Sequence, residues 1–253
     1  MRPRSALPRL AAPSRSRLRL RLRSRLLALP LALLLALPGA AGPAPEMLPQ
    51  AEQARWNAVG RVNIAGYNTR RMCSGVLIAP DRVLTAAHCV LKGRSRPAPP
   101  GEVVFVAGWR SGAGAADATG AALALHPGFA EGLAAGHIDI ASDLAVIELA
   151  RPLAGVAPLP LAALPDAAPA ALALTIVGYR ADRPHIASRQ GPCFVTARGA
   201  GAVALDCEVV PGTSGAPVLT EGPDGPAVAA IVSASSLRGT LAALPASWDA
   251  LAR

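Results

Sequence analysis

No stretch of the chain offers the run of about 20 apolar residues that a helix needs to cross a bilayer. The longest candidate, Leu26 to Leu37, is shorter and carries Pro30. Zinc chemistry lacks its pattern too: the four cysteines form no C-x-x-C pair and no His-Cys spacing of the kind that holds that ion. No long segment repeats its apolar residues every 3.6 positions, which argues against an architecture built on helices. Internal repeats are also missing, which excludes solenoids and propellers.

Acidic residues are absent from residues 1–25, which hold nine arginines. The apolar run follows, and then the small residues Gly39-Ala40-Ala41. Basic, apolar and small-residue regions in that order describe a secretory signal peptide over residues 1–41, removed on export. Discarding it changes the meaning of the formal charge of +9, because the remaining 16 basic residues balance the 16 acidic ones. A mature chain near neutrality gives no reason to expect a nucleic-acid partner. Export also predicts a secreted or periplasmic protein with no stable membrane association once the leader is gone.

Cys73, Cys89, Cys193 and Cys207 are even in number and follow an export signal, so two disulfides are expected. Three pairings are open. The local one, Cys73 with Cys89 and Cys193 with Cys207, closes two short loops worth about 3 kcal/mol each in the chain-entropy picture.

Residues 42–55 are rich in Pro and Ala and read as a flexible lead-in. Short apolar runs bounded by Gly, Pro, Asn and Asp then recur: Ala58–Ala65, Met72–Ala79, Glu102–Gly108, Ala121–His126, Leu144–Leu149, Leu172–Gly178, Cys193–Ala197, Ala202–Leu205, Ala216–Leu219 and Ala227–Ser233. Lengths of this kind with turn signals between them predict an all-β sandwich or barrel. Ala163–Leu174 has helical propensity, but Pro165 and Pro169 oppose it. A proline-rich connection from Arg151 to Pro165 divides the chain into halves, 56–155 and 156–253.

Three motifs carry chemistry. Thr85-Ala86-Ala87-His88-Cys89 ends an apolar run, Asp143-Leu144-Ala145-Val146-Ile147 leads into a strand, and Pro211-Gly212-Thr213-Ser214-Gly215 puts a serine among glycines. A serine hydroxyl attacks a carbonyl only with a base beside it, and an imidazole does this best when an acid fixes its tautomer. The order His, Asp, Ser and the alanine at position 216 exclude the G-x-S-x-G elbow of α/β-hydrolases. Asp139 is the second candidate for the acid, with a poorer context.

These motifs, with Cys73-Ser74-Gly75-Val76-Leu77-Ile78 upstream, resemble the trypsin-like serine proteases of the chymotrypsin family. The resemblance spans nearly all of the chain after the leader. It implies two six-stranded antiparallel Greek-key barrels with the active site in the cleft between them. It also implies His88 as base, Asp143 as orienting acid, Ser214 as nucleophile and the Gly212 and Ser214 amides as oxyanion hole. A Cys73–Cys89 bridge would pin the residue beside the base. The implied substrate is a protein or peptide, the implied state a monomer, and neither metal nor organic cofactor is called for.

Two departures from the pattern are informative. Thr213 stands where zymogens of the family carry an aspartate, and no Ile-Val-Gly-Gly start is present, so activation by a new N-terminus is not expected. Thr213 and the short Cys193–Cys207 loop resemble the secreted bacterial branch that includes glutamyl endopeptidases, yet Val232 stands where those relatives carry a histidine. Glu208, six residues before the nucleophile, would favour Lys or Arg in the substrate, and Ser233, Ala234 and Ser235 resemble the wall that pairs with its backbone. An inactive binding module of the same fold and an esterase using the same triad are the competing readings.

Overall fold

A computed structural model describes residues 43–65, 72–93, 95–166, 171–248 and 251; the leader expected over 1–41 and the centre of Ala163–Leu174 lie outside them. Its strands in chain order begin with β1 (Glu46–Met47), β2 (Val59–Ile64), β3 (Met72–Ala79), β4 (Arg82–Thr85), β5 (Leu91–Lys92), β6 (Arg96–Pro97), β7 (Val103–Ala107) and β8 (Ala116–Leu125). They continue with β9 (Ala145–Leu149), β10 (Leu174–Arg180), β11 (Arg183–Cys193), β12 (Val195–Gly199), β13 (Ala202–Leu205), β14 (Pro217–Gly222), β15 (Gly225–Ser236) and β16 (Gly239–Ala243). The all-β expectation holds.

Six strands close a barrel in the order β2-β3-β4-β9-β8-β7, antiparallel throughout. Val83 and Leu84 of β4 point to opposite faces, and both are fully buried. Cover on both faces is why this strand is encoded by a continuous apolar run rather than by alternation.

The second sheet runs β1-β11-β10-β14-β15-β16-β13-β12. Only Phe194 separates the end of β11 from the start of β12, so the two are halves of one bent strand. The first half pairs with β10 and the second with β13. Counted as one, they return the sheet to itself through six strands, the barrel that the resemblance implies. A cluster of Leu174, Ile176, Leu205, Val218, Val232 and Ala242 fills it.

The structure differs from the sequence reading in two places. Residues 43–56 hold β1 on the edge of β11 and a 3-10 helix, Gln50–Trp56, with Leu48 and Trp56 buried. Two large apolar side chains tie down a segment whose composition suggested a flexible lead-in. The strands β11 and β16 fall outside the expected runs, because β11 is largely polar and gains its place from neighbours on both sides. His126 leads into helix α1 (Pro127–Ala135), where its Nδ1 accepts the Gly128 amide at 3.2 Å and the buried Phe129 anchors the turn.

Between the barrels lies a buried cation. Arg61 on β2 is 1% exposed, stacks its guanidinium 5.1 Å from the Trp109 ring, and donates to the Pro184 carbonyl at 3.4 Å. The Tyr179 hydroxyl of β10 donates to the Trp109 carbonyl at 2.9 Å. Burial draws the Arg61 guanidinium below its usual range, against a smaller opposing effect from Tyr179.

Candidate active site

The first barrel delivers His88 on a single 3-10 turn, Ala87–Val90, directly after β4. Thr85, Ala86 and Ala87 before it are fully buried, which leaves the imidazole as the part of the turn that reaches solvent. Cys89 is bridged to Cys73 of β3, and Cys193 to Cys207, so the local pairing is the one formed.

Asp143 leads into β9, the strand paired with β4, which brings it to the turn. Its Oδ1 accepts the His88 amide at 2.9 Å and its Oδ2 meets His88 Nδ1 at 2.7 Å. An ionised carboxylate only accepts, so Nδ1 carries the hydrogen and Nε2 is left as the basic nitrogen. The carboxylate is 2% exposed. Burial by itself would push its proton affinity up; the His88 side-chain hydrogen bond and charge, the Ser233 hydroxyl and the His88 amide outweigh that and hold it below the ordinary value. Asp139 is exposed and caps a local turn, accepting the Ala141 amide at 3.2 Å.

A third group reaches Asp143 from the second barrel. Ser233 Oγ donates to Oδ2 at 2.5 Å. The register between β15 and β16 slips by one residue between Val232 and Ala234, which makes Ser233 the extra residue of a bulge. Bulges re-aim a side chain, and this one turns a serine into the interior. Sequence reasoning had assigned Ser233 to the substrate wall; no local signal marks a bulge whose cause is pairing with a distant strand.

Ser214 sits on the loop before β14. Two glycines shape it: Gly212 has φ +96° and Gly215 φ +80°, where a side chain would be strained. A Cβ on Gly215 would also lie 2.1 Å from the Ser74 carbonyl oxygen, so the loop packs against β3. Ala181 N–H donates to the Pro211 carbonyl at 2.7 Å, and Ala216 N–H to the Thr213 carbonyl at 2.9 Å. In a trans peptide the N–H points opposite to the carbonyl, so both bonds aim the Gly212 and Ser214 amides away from those partners. Among the described residues neither amide donates to a protein acceptor. The Ser214 hydroxyl itself lies toward the Ser233 carbonyl at 3.4 Å rather than on His88.

Of the three residues expected to form a substrate wall, Ser233 faces Asp143 instead. Ala234 is half-buried, and Ser235, Ser236 and Leu237 are exposed. With Glu208, Val209 and Gly239 the last three line an open cleft of about 300 Å³. His137 and His185 are exposed and enter none of these contacts.

A family model described as a trypsin-like peptidase domain matches residues 73–229, more than half of the chain, and the chain belongs to that family. A solved structure of a Glu endopeptidase in complex with MPD superposes with a TM-score of 0.65 at 18% identity, covering 85% of this chain and 94% of that one. At that identity the likeness is one of fold. No curated protein matches.

Proposed function

We propose that the protein is an exported serine endopeptidase that works through His88, Asp143 and Ser214. The observation that carries this reading is the double clamp of Asp143 on His88, through the backbone amide and Nδ1, which leaves Nε2 basic on a turn whose leading residues, Thr85 and Ala86, pack against Gly215 of the Ser214 loop. Ser214 Oγ attacks the substrate carbonyl, and its proton passes to His88 Nε2. The resulting imidazolium is stabilised by the buried Asp143 carboxylate. The carbonyl oxygen, now negative, accepts from the Gly212 and Ser214 amides. Collapse of this intermediate breaks the C–N bond, and His88 returns the proton to the departing amine. Water then attacks the acyl-enzyme, with His88 again as base. Such a site draws the serine hydroxyl onto the imidazole once substrate is bound, since catalytic hydrogen bonds often tighten only in the complex.

Glu208 and the wall of Ala234 and Ser235 are proposed to receive the substrate, with a Lys or Arg side chain facing Glu208. Two disulfides fit an oxidising compartment. No helix among the described residues is long and apolar enough to cross a membrane.

The test is labelling of the leader-free protein with a fluorophosphonate probe beside Ser214→Ala and His88→Ala. Labelling of the parent alone supports the reading. A folded, fully disulfide-bonded parent that resists the probe counts against it.

A further inference from the structure

Ser74 is the one polar side chain near the centre of β3, an otherwise apolar strand, and it is completely buried. Every polar group of the residue is engaged. Its hydroxyl accepts the Tyr179 amide of β10 at 2.8 Å and donates to the Gly212 carbonyl at 2.9 Å. Its amide donates to the Ser214 carbonyl at 2.8 Å, and its carbonyl accepts Thr85 Oγ1 at 2.7 Å. Ser74 therefore belongs to the first barrel by chain and to the Ser214 loop by hydrogen bonding. Its neighbour Cys73 is bridged to Cys89, the residue beside His88. Two consecutive residues of β3 hold the base turn with one and the nucleophile loop with the other.

We infer that the Ser74 hydroxyl is a positioning residue for the Gly212 amide; the inference rests on the proposed serine mechanism. Gly212 lies between two peptide planes. The Pro211 carbonyl on one side is held by Ala181, and the Gly212 carbonyl on the other is held by Ser74 Oγ. A glycine at φ +96° rotates more easily than any other residue, so planes tethered at one end only can swing. Fastening both fixes the direction of the Gly212 N–H before substrate arrives. Donors aimed in advance at the developing oxyanion act on the rate of the chemical step. Loss of the hydroxyl also strands a buried carbonyl and the buried Tyr179 amide, which gives the loop a reason to turn.

The prediction is a split between two reactions at one site. Phosphonylation of Ser214 by a fluorophosphonate uses the oxyanion donors, whereas carbethoxylation of His88 by diethyl pyrocarbonate does not. In Ser74→Ala the maximal phosphonylation rate should fall about tenfold or more, by comparison with removal of an oxyanion donor. Half-saturation of the probe and the carbethoxylation rate should both stay at parent values. Ser74→Thr and Ser74→Val supply a second pair of equal shape, differing in the hydroxyl alone: Thr is expected to keep the fast rate and Val to lose it. Equal phosphonylation in Thr and Val, or a parallel fall in both reactions for Ser74→Ala, would overturn the inference. A parent that is labelled at Ser214 while Ser74→Ala is labelled equally fast sinks this inference alone. A folded parent that is not labelled sinks the serine mechanism itself.

Discussion

The two barrels treat their functional residues in opposite ways. The first presents His88 on a turn whose preceding residues are fully buried, bridges its neighbour Cys89, and clamps it twice with a carboxylate that is 2% exposed. The second presents Ser214 on a loop shaped by two left-handed glycines, and its cleft is lined by the exposed Ser235, Ser236 and Leu237. Proton transfer tolerates little displacement, because the imidazole must meet two partners at once. Recognition of varied side chains asks for surface that can change without disturbing packing. On the proposed mechanism the base and its acid belong to the rigid half, and the open half combines the nucleophile loop with the surface left for recognition.

Breaking the rigid half should give the largest effect. Asp143→Asn keeps the shape of the clamp and offers a donor where a carboxylate stood, so the imidazole is expected to settle with its hydrogen on the wrong nitrogen. A fall in kcat of about 10⁴ with little change in KM is expected, from the size of this effect in a comparable triad. Peptide hydrolysis by the folded variant is the measurement. A fall of only a few-fold would move the orienting role elsewhere, and the exposed turn cap Asp139 would be the next residue to replace.

The disulfides sharpen the contrast. They span 16 and 14 residues, so each should contribute about 3 kcal/mol by loop closure. Replacing either pair with alanine is expected to lower Tm by similar amounts. Activity should separate them: loss of Cys73–Cys89 loosens the base and lowers kcat, whereas loss of Cys193–Cys207 loosens the segment leading to Glu208 and raises KM. Parallel losses of kcat in the two double variants would erase the distinction between the barrels.

Ser233 crosses from one half to the other, and Ser233→Ala tests that crossing by pH. A carboxylate held below its ordinary value contributes stability above its unfolded pKa, about 3.9, and loses it as pH falls through the lower folded value. Removing the Ser233 hydrogen bond lets the folded value of Asp143 rise. Acid unfolding should then begin at a higher pH, with a stability loss near neutrality of about 1.5–3 kcal/mol, the range for a bond to a charged group. Near-UV circular dichroism across an acid titration reads this directly. An unchanged acid midpoint would mean that the Ser233 contact does not act on the carboxylate.

What could be read in advance follows the same division. Thr85 to Cys89 and Asp143 to Leu149 are contiguous motifs whose structure is set by the strand each belongs to, so their geometry was visible in the chain. The six-strand closure of the first barrel was implied by the family resemblance alone, since the apolar runs by themselves allowed a sandwich as well as a barrel. Ser233 was not, because its inward turn depends on a register slip against β16, a strand that the apolar runs did not reveal. Arg61 and Asn63 were hidden too: they share one face of β2 with Val59 and are buried although polar. Long-range pairing carries this information, and a local pattern does not.

The smallest effect belongs to the open half. Glu208 is exposed at the rim of the cleft, so the attraction proposed between it and a substrate cation would be weakened by water and by salt. Glu208→Gln removes the charge and keeps the size. The expectation is a few-fold rise in KM for peptides with Arg or Lys before the cut, no change for those with Leu, and kcat unaltered. Measured at about 0.05 M and about 0.5 M salt, the preference of the parent for Arg over Leu should shrink at the higher value, and that of the variant should be absent at both. A parent with no preference for a cationic residue would remove Glu208 from recognition. An Arg preference that survives in the variant would place its source among the hydroxyl and carbonyl groups of Ser235 and Ser236, which would make the open half a reader of shape and hydrogen bonding rather than of charge.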